Sequence, residues 1–199
     1  MKKDRFVAFF DAIMAIIMTI VVLEFVIPNG TKWGDLSDLG YQVLVYALSF
    51  FWLGGMWISI HNLWHHVDVI DRGVLWTNIA MLFFASMLPF LVVYAGRNLT
   101  ERVPQTLYGL DALFITILNE VSAEQLARHH ECVKKQLPSF RKSVFTDIGI
   151  KTVGLVIGAT VFPPAVLISI LVAMLSMVIW RTLASKKHAT EAGKEDPVD

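Results

Sequence analysis

Residues Arg5 to Pro28 read RFVAFFDAIMAIIMTIVVLEFVIP, a nearly unbroken apolar run that nevertheless carries Arg5, Asp11 and Glu24. At about 1.5 Å of helical rise per residue, a segment of this length crosses a hydrocarbon core of about 30 Å. An ionisable side chain left facing lipid at the centre of a span costs at least ~2.5 kcal/mol, so such groups pair, face protein or meet water. The first span is therefore the first place to look for a transport path. It is read as a retained helix and not as a secretory leader, because Asp11 interrupts the apolar core and no A-x-A site precedes Pro28.

The rest of the chain is of the same kind. With 55% hydrophobic and 17% charged residues and a mean hydropathy of +0.58, it reads as an all-α integral membrane protein. Six spans are expected, at about 5–28, 39–65, 73–96, 103–125, 144–162 and 164–183, forming one transmembrane domain over 1–183. The fourth is interrupted by Asp111, Asn119 and Glu120. The last two form one apolar run divided by Pro163-Pro164, a pair that removes backbone donors and forces a turn. Residues 122–142 read as a cytoplasmic helical connector containing Pro138, and 184–199 as a polar, disordered tail.

Net charge is zero, which gives no pull toward nucleic acid. The lone Cys132 excludes an internal disulfide, and no C-x-x-C or Cys/His metal spacing occurs. Orientation follows from the basic residues. Lys2, Lys3, Arg5, Arg72, Arg128, Lys134, Lys135, Arg141, Lys142, Arg181, Lys186, Lys187 and Lys194 fall on one side, against Lys32, Arg97 and Arg102 on the other. The positive-inside rule places both termini in the cytoplasm of a multi-pass cell-membrane protein.

At 100° per residue, Phe9, Ile13, Ile16, Ile20, Leu23 and Ile27 share one stripe of the first span, with Thr19 on its flank. Asp11, Ala15, Met18 and Val22 lie opposite, which places the Asp11 carboxylate against neighbouring protein. The stripe itself suits lipid or ordinary helix partners as well as a pore, since periodicity does not distinguish them. The second span adds Ser49, Ser59, His61, Asn62, His65 and His66 with Trp52, Trp57 and Trp64 interleaved. His61 and His65 have a zinc-like spacing but no evident further ligands, so no metal site is assigned. Asn78 in the third span is placed to bond His61 or Asp11. Asp147 and Lys151, four apart, neutralise one another at the membrane edge, or less simply serve a proton relay. Gly154 and Gly158 form a G-x-x-x-G cue for close helix approach.

These residues resemble the prokaryotic members of the transmembrane protein 175 family, the family of the lysosomal potassium channel. Its R-x-x-x-F-S-D signature corresponds to Arg5-Phe6-Val7-Ala8-Phe9-Phe10-Asp11, and its V-L-E-x-x-x-P to Val22-Leu23-Glu24 through Pro28. Trp57 and His61, the Leu75-Trp76 to Asn78 start of the third span, and Pro89-Phe90 also match. The likeness is good over about 5–110 and topological beyond. Two positions depart from it. The signature serine is Phe10, and the family's adjacent histidine pair is Ile60-His61, which leaves open how the polar cluster is satisfied.

The resemblance implies a potassium-permeable cation channel, with one six-helix repeat per chain and a homotetramer whose first helices line a central pore. Ile16, Ile20 and Leu23 then match the hydrophobic constriction and Thr19 a threonine connected with selectivity. Glu24 stands at the outer mouth, while Arg5, Asp11, Trp57, His61 and Asn78 form a structural polar cluster. K+ is the permeant ion, and no cofactor, metal or nucleic acid is implied. No T-V-G-Y-G loop is present, so carbonyl rings cannot replace the hydration shell, and selectivity over sodium should be weak to moderate. A secondary transporter or proton-permeable protein is the alternative, although inverted repeats and broken helices are not evident. An enzyme lacks its constellation of nucleophile, base and orienting group.

Overall fold

A computed structural model describes residues 3–65, 67, 70–128 and 130–192. Among them are seven α-helices: α1 (Lys3–Ile20), α2 (Ser37–Trp64), α3 (Arg72–Ala85), α4 (Leu88–Arg97), α5 (Arg102–Ala127), α6 (Glu131–Thr160) and α7 (Ala165–Ala192). The seventh arises because the expected third span is broken. Pro89 stands in the first turn of α4, where its missing donor is tolerated, so α3 stops and α4 restarts across Ser86 and Met87. Hydrogen bonds from Ser86 N to Leu82 O (2.9 Å) and from Leu91 N to Met87 O (3.1 Å) keep the break tight. The two helices together make one apolar stretch, Arg72–Arg97, long enough to cross a membrane.

Three more stretches have that length and composition, Lys3–Glu24, Trp33–Trp64 and Phe140–Thr160, and Ala165–Ile179 is a shorter apolar helix. The count of six spans does not follow from hydropathy alone, because α5 carries too many polar residues. Gln105, Asp111, Thr116, Asn119 and Ser122 are all buried along it.

Other boundaries also differ from expectation. The first span ends at Glu24 in a short 3-10 turn, Val21–Glu24, and Phe25 is extended. Proline at 28 disfavours helix just before it, and the Val26 amide turns to the Gln42 side chain instead, at 3.1 Å. The expected connector at 122–142 divides between the end of α5, to Ala127, and the start of α6, which passes through Pro138 and runs on as one 30-residue helix. At about 1.5 Å per residue that is about 45 Å, so its first third lies outside a hydrocarbon core. The segment expected to be a polar tail starts as helix. Its first part continues α7 to Ala192, consistent with the strong helix formers Ala184, Lys186, Lys187, Ala189 and Glu191. Residues 193–199 lie outside the described residues.

The turn forced by Pro163-Pro164 is present between α6 and α7, closed by Val161 N to Ile157 O at 2.8 Å. Small residues let the two helices meet. A Cβ at Gly154 would fall on Ser169, and one at Gly158 on Val166. Gly109 of α5 sits against Val166 and Leu155 in the same way, so α5, α6 and α7 form a close-packed trio against which α2, α3 and α4 are arranged.

Candidate functional site

α1 is packed along one face and exposed along another. Phe6, Phe10, Met14, Ile17 and Val21, spaced by three and four, are buried. At 100° per residue this face lies roughly 100° around from the predicted stripe and not opposite to it. Ile16 is 59% exposed, Ile20 38% and Leu23 81%. The side expected to meet neighbouring protein is consequently half covered: Asp11 and Met18 are intermediate, while Ala15 and Val22 are exposed. The free arc also contains Ala8, Ala12 and Thr19. A single subunit thus presents a strip of small and branched aliphatic side chains with no partner of its own.

The predicted polar cluster forms in part. Trp57 Nε1 donates to Asp11 Oδ1 at 2.7 Å, joining α2 to α1. The His61 ring lies one turn further along α2, 5.0 Å from the Trp57 indole, with its Nδ1 buried and without a hydrogen-bond partner. Two expected members stand elsewhere. Arg5 is exposed, and among the described residues no ion pair joins it to Asp11. Asn78 is fully buried, but its amide donates to Val74 O and to Ser122 Oγ, both at 2.7 Å. It therefore ties α3 to α5 and not to α1. His66, counted in the polar set of the second span, lies outside the described residues.

The two departures from the family signature have a packing explanation. Phe10 is completely buried, with its ring edge-on to Trp64 at 4.9 Å and beside Phe6 at 6.2 Å. Ile60 is also in the core. Phe10 exchanges hydrogen-bonding capacity for apolar contact between α1 and α2, and Ile60 does so within the core.

Thr19 Oγ1 donates to the carbonyl of Ala15 at 2.8 Å, so the hydroxyl is bonded to its own helix. Among the described residues no donor reaches its lone pairs. Glu24 is exposed and lines an open cleft of about 420 Å³ together with Phe90, Val93, Tyr94, Arg97 and Asn98 of the α4 end. A positive and a negative side chain thus face one cleft beside the end of α1.

Sequence reasoning missed one polar assembly. The Asp147–Lys151 pair is buried within the subunit: Lys151 is 2% exposed and Asp147 7%. Lys151 Nζ donates to Asp147 Oδ2 and to Thr116 Oγ1 of α5, both at 2.7 Å. It also lies 4.1 Å from the centroid of the Trp52 ring of α2. The i, i+4 spacing revealed the pair, but nothing in the sequence pointed to its partners on two other helices.

A sequence profile described as the endosomal/lysosomal potassium channel TMEM175 matches residues 5–89. The chain is 30% identical over 159 residues to a potassium channel of Chryseobacterium sp. (strain P1-3), covering 76% of this chain and 83% of that one. A potassium channel of Streptomyces collinus is 26% identical over 117 residues, covering 55% of this chain and 57% of that protein. The human endosomal/lysosomal proton channel TMEM175 is 27% identical over 73% of this chain, which spans 31% of that longer protein. Among solved structures, a lysosomal potassium-selective channel TMEM175 homologue from Chamaesiphon minutus superposes with a TM-score of 0.68 at 19% identity. The match covers 89% of this chain and 97% of that one, and shows a shared fold.

Proposed function

Because the chain belongs to the TMEM175 family, we propose that it is a potassium-permeable cation channel, a homotetramer in which the four copies of α1 line the path. The observation that carries this reading is the bare row Ile16, Ile20 and Leu23 on a helix that is otherwise anchored by Phe6, Phe10, Met14 and Ile17. Four such rows facing one axis make a hydrophobic constriction, which blocks ions by excluding water and conducts when it widens. Selectivity over sodium is weak to moderate, because no carbonyl cage strips the ion. Thr19, whose hydroxyl proton is held by Ala15 O, offers its lone pairs to a partly dehydrated cation. Glu24 raises the cation concentration at the outer mouth.

Counting α3 and α4 as one crossing, and α5 as a crossing whose polar residues are turned inward, gives six passes. An even number keeps both termini on one side, and the positive-inside rule makes that side cytoplasmic.

The test is potassium flux from liposomes holding the purified protein, compared with sodium and proton flux, for the native chain and for Ile16→Asn. The variant should assemble as a tetramer and leak faster, because a polar ring wets. Unchanged flux in a correctly assembled variant removes Ile16 from the path, and a monomer in detergent removes the ring altogether.

A further inference from the structure

We propose that Lys151 is a positioning residue for the α1 constriction, acting through α2; the inference rests on the pore reading above. An ammonium has three N–H bonds, and here each direction is taken. One reaches Asp147 on α6, one Thr116 on α5, and the remaining side faces the Trp52 ring on α2. The Thr116 hydroxyl in turn donates to Ala112 O at 2.9 Å, so it meets Lys151 with a lone pair. Lys151 is therefore a node at which three helices are held in one register.

Stability does not account for such a node. A buried ion pair replaced by apolar side chains of similar volume is often neutral or stabilising, and ionisable groups inside a membrane protein are the usual carriers of function. What the node does is grip α2. Trp52 and Trp57 are five residues apart, about 7.5 Å along the helix and about 140° around it. One indole faces Lys151 and the other bonds Asp11 of α1. The peripheral α5–α6 pair and the pore-side α1 thus hold α2 from two flanks within two turns. A shift of α6 against α5 is passed to the height and rotation of α1, and with it to the Ile16 ring.

Two backgrounds test this. Lys151→Met, which keeps length and loses charge, and Trp52→Leu, which loses the π face, are each made in the native chain and in Ile16→Asn. Potassium flux is measured per reconstituted tetramer. In the native background each variant should lower flux by about fivefold or more, the lower end of coupling between linked sites. In Ile16→Asn, where the ring is wet whatever its exact position, the same changes should move flux by less than about twofold. A purely structural role would lower flux equally in both backgrounds, and that result overturns the proposal, as does unchanged flux in assembled variants. If Lys151→Met does not assemble, Trp52→Leu and the shape-preserving Thr116→Val carry the same comparison. Failure of Ile16→Asn itself to raise flux refutes the constriction, a separate and recognisable outcome.

Discussion

Replacing Asp11 by alanine removes the acceptor of the 2.7 Å bond from Trp57 Nε1 and leaves the indole donor without its partner. A fully buried charge that loses its partner commonly costs ~3 to 5 kcal/mol, but Asp11 is only half buried and, among the described residues, no ion pair reaches it. The appropriate scale is a hydrogen bond to a charged group, about 1.5 to 3 kcal/mol. At 1.4 kcal/mol per factor of ten, Asp11→Ala should weaken the folded assembly by about 10- to 150-fold. The measurement is a double-mutant cycle with Trp57→Phe, read as the midpoint of tetramer unfolding in detergent. Each single variant should destabilise, and the pair should destabilise by less than their sum, since both break one bond. A coupling energy under ~0.5 kcal/mol would mean that the two residues act independently. A second result would refute the structural role itself: an Asp11→Ala tetramer of native stability whose potassium-to-sodium ratio alone has changed. Asp11 would then belong to the path.

Thr19→Val keeps the shape of the side chain and removes its oxygen, so it should move the reversal potential in mixed potassium and sodium toward lower selectivity; an unaltered permeability ratio with intact current leaves Thr19 as a backbone-bonded hydroxyl. Gly154→Ala should lower the unfolding temperature, because its Cβ would land on Ser169 and overpacking costs about 1 to 3 kcal/mol. The control is Gly149→Ala on the same helix, where nothing lies within 4 Å of the new methyl, and equal effects at both positions would show that close approach is not what Gly154 supplies.

The sequence was most legible where backbone chemistry acts alone. Pro163-Pro164 predicts the α6–α7 turn, Gly154 and Gly158 predict a close helix approach, which α7 makes, and the 3.6-residue period puts Ile16, Ile20 and Leu23 on one stripe. It was least legible where the question is which neighbour covers a face. In a membrane helix both the core side and the free side are apolar, so hydropathy cannot tell Phe10 or Met14 from Ile16. For that reason the packed face of α1 was misplaced by roughly a quarter turn. Polar partners were ambiguous for a related reason. Asn78 can bond any donor or acceptor within reach, and only the approach of α3 to α5 selects Ser122 over Asp11. The Lys151 node needed two helices distant in sequence, and nothing in a single helix's period announces Trp52 or Thr116. Proline 89 was visible as a match but not as a break.

Comparison with α6 bears on what surrounds α1. In each of the two apolar windows 28% of residues are buried within the subunit, so extent of burial does not separate them. Charge placement does. α6 turns Asp147 and Lys151 inward and leaves Phe145, Val153, Val156 and Ile157 outside, a surface that lipid covers without cost. α1 has Arg5 and Glu24 about 28 Å apart, near the two edges of a hydrocarbon core, and neither is unfavourable there. Asp11, however, lies about 9 Å inward from Arg5, and it is only half buried. Against lipid it would carry a penalty that the Trp57 bond offsets at best in part. Against water or a second α1 it carries little. The helix therefore needs water or further protein beside Asp11, about 140° around α1 from Ile16, so the partner that covers Asp11 is distinct from the axis that the proposed Ile16 row faces.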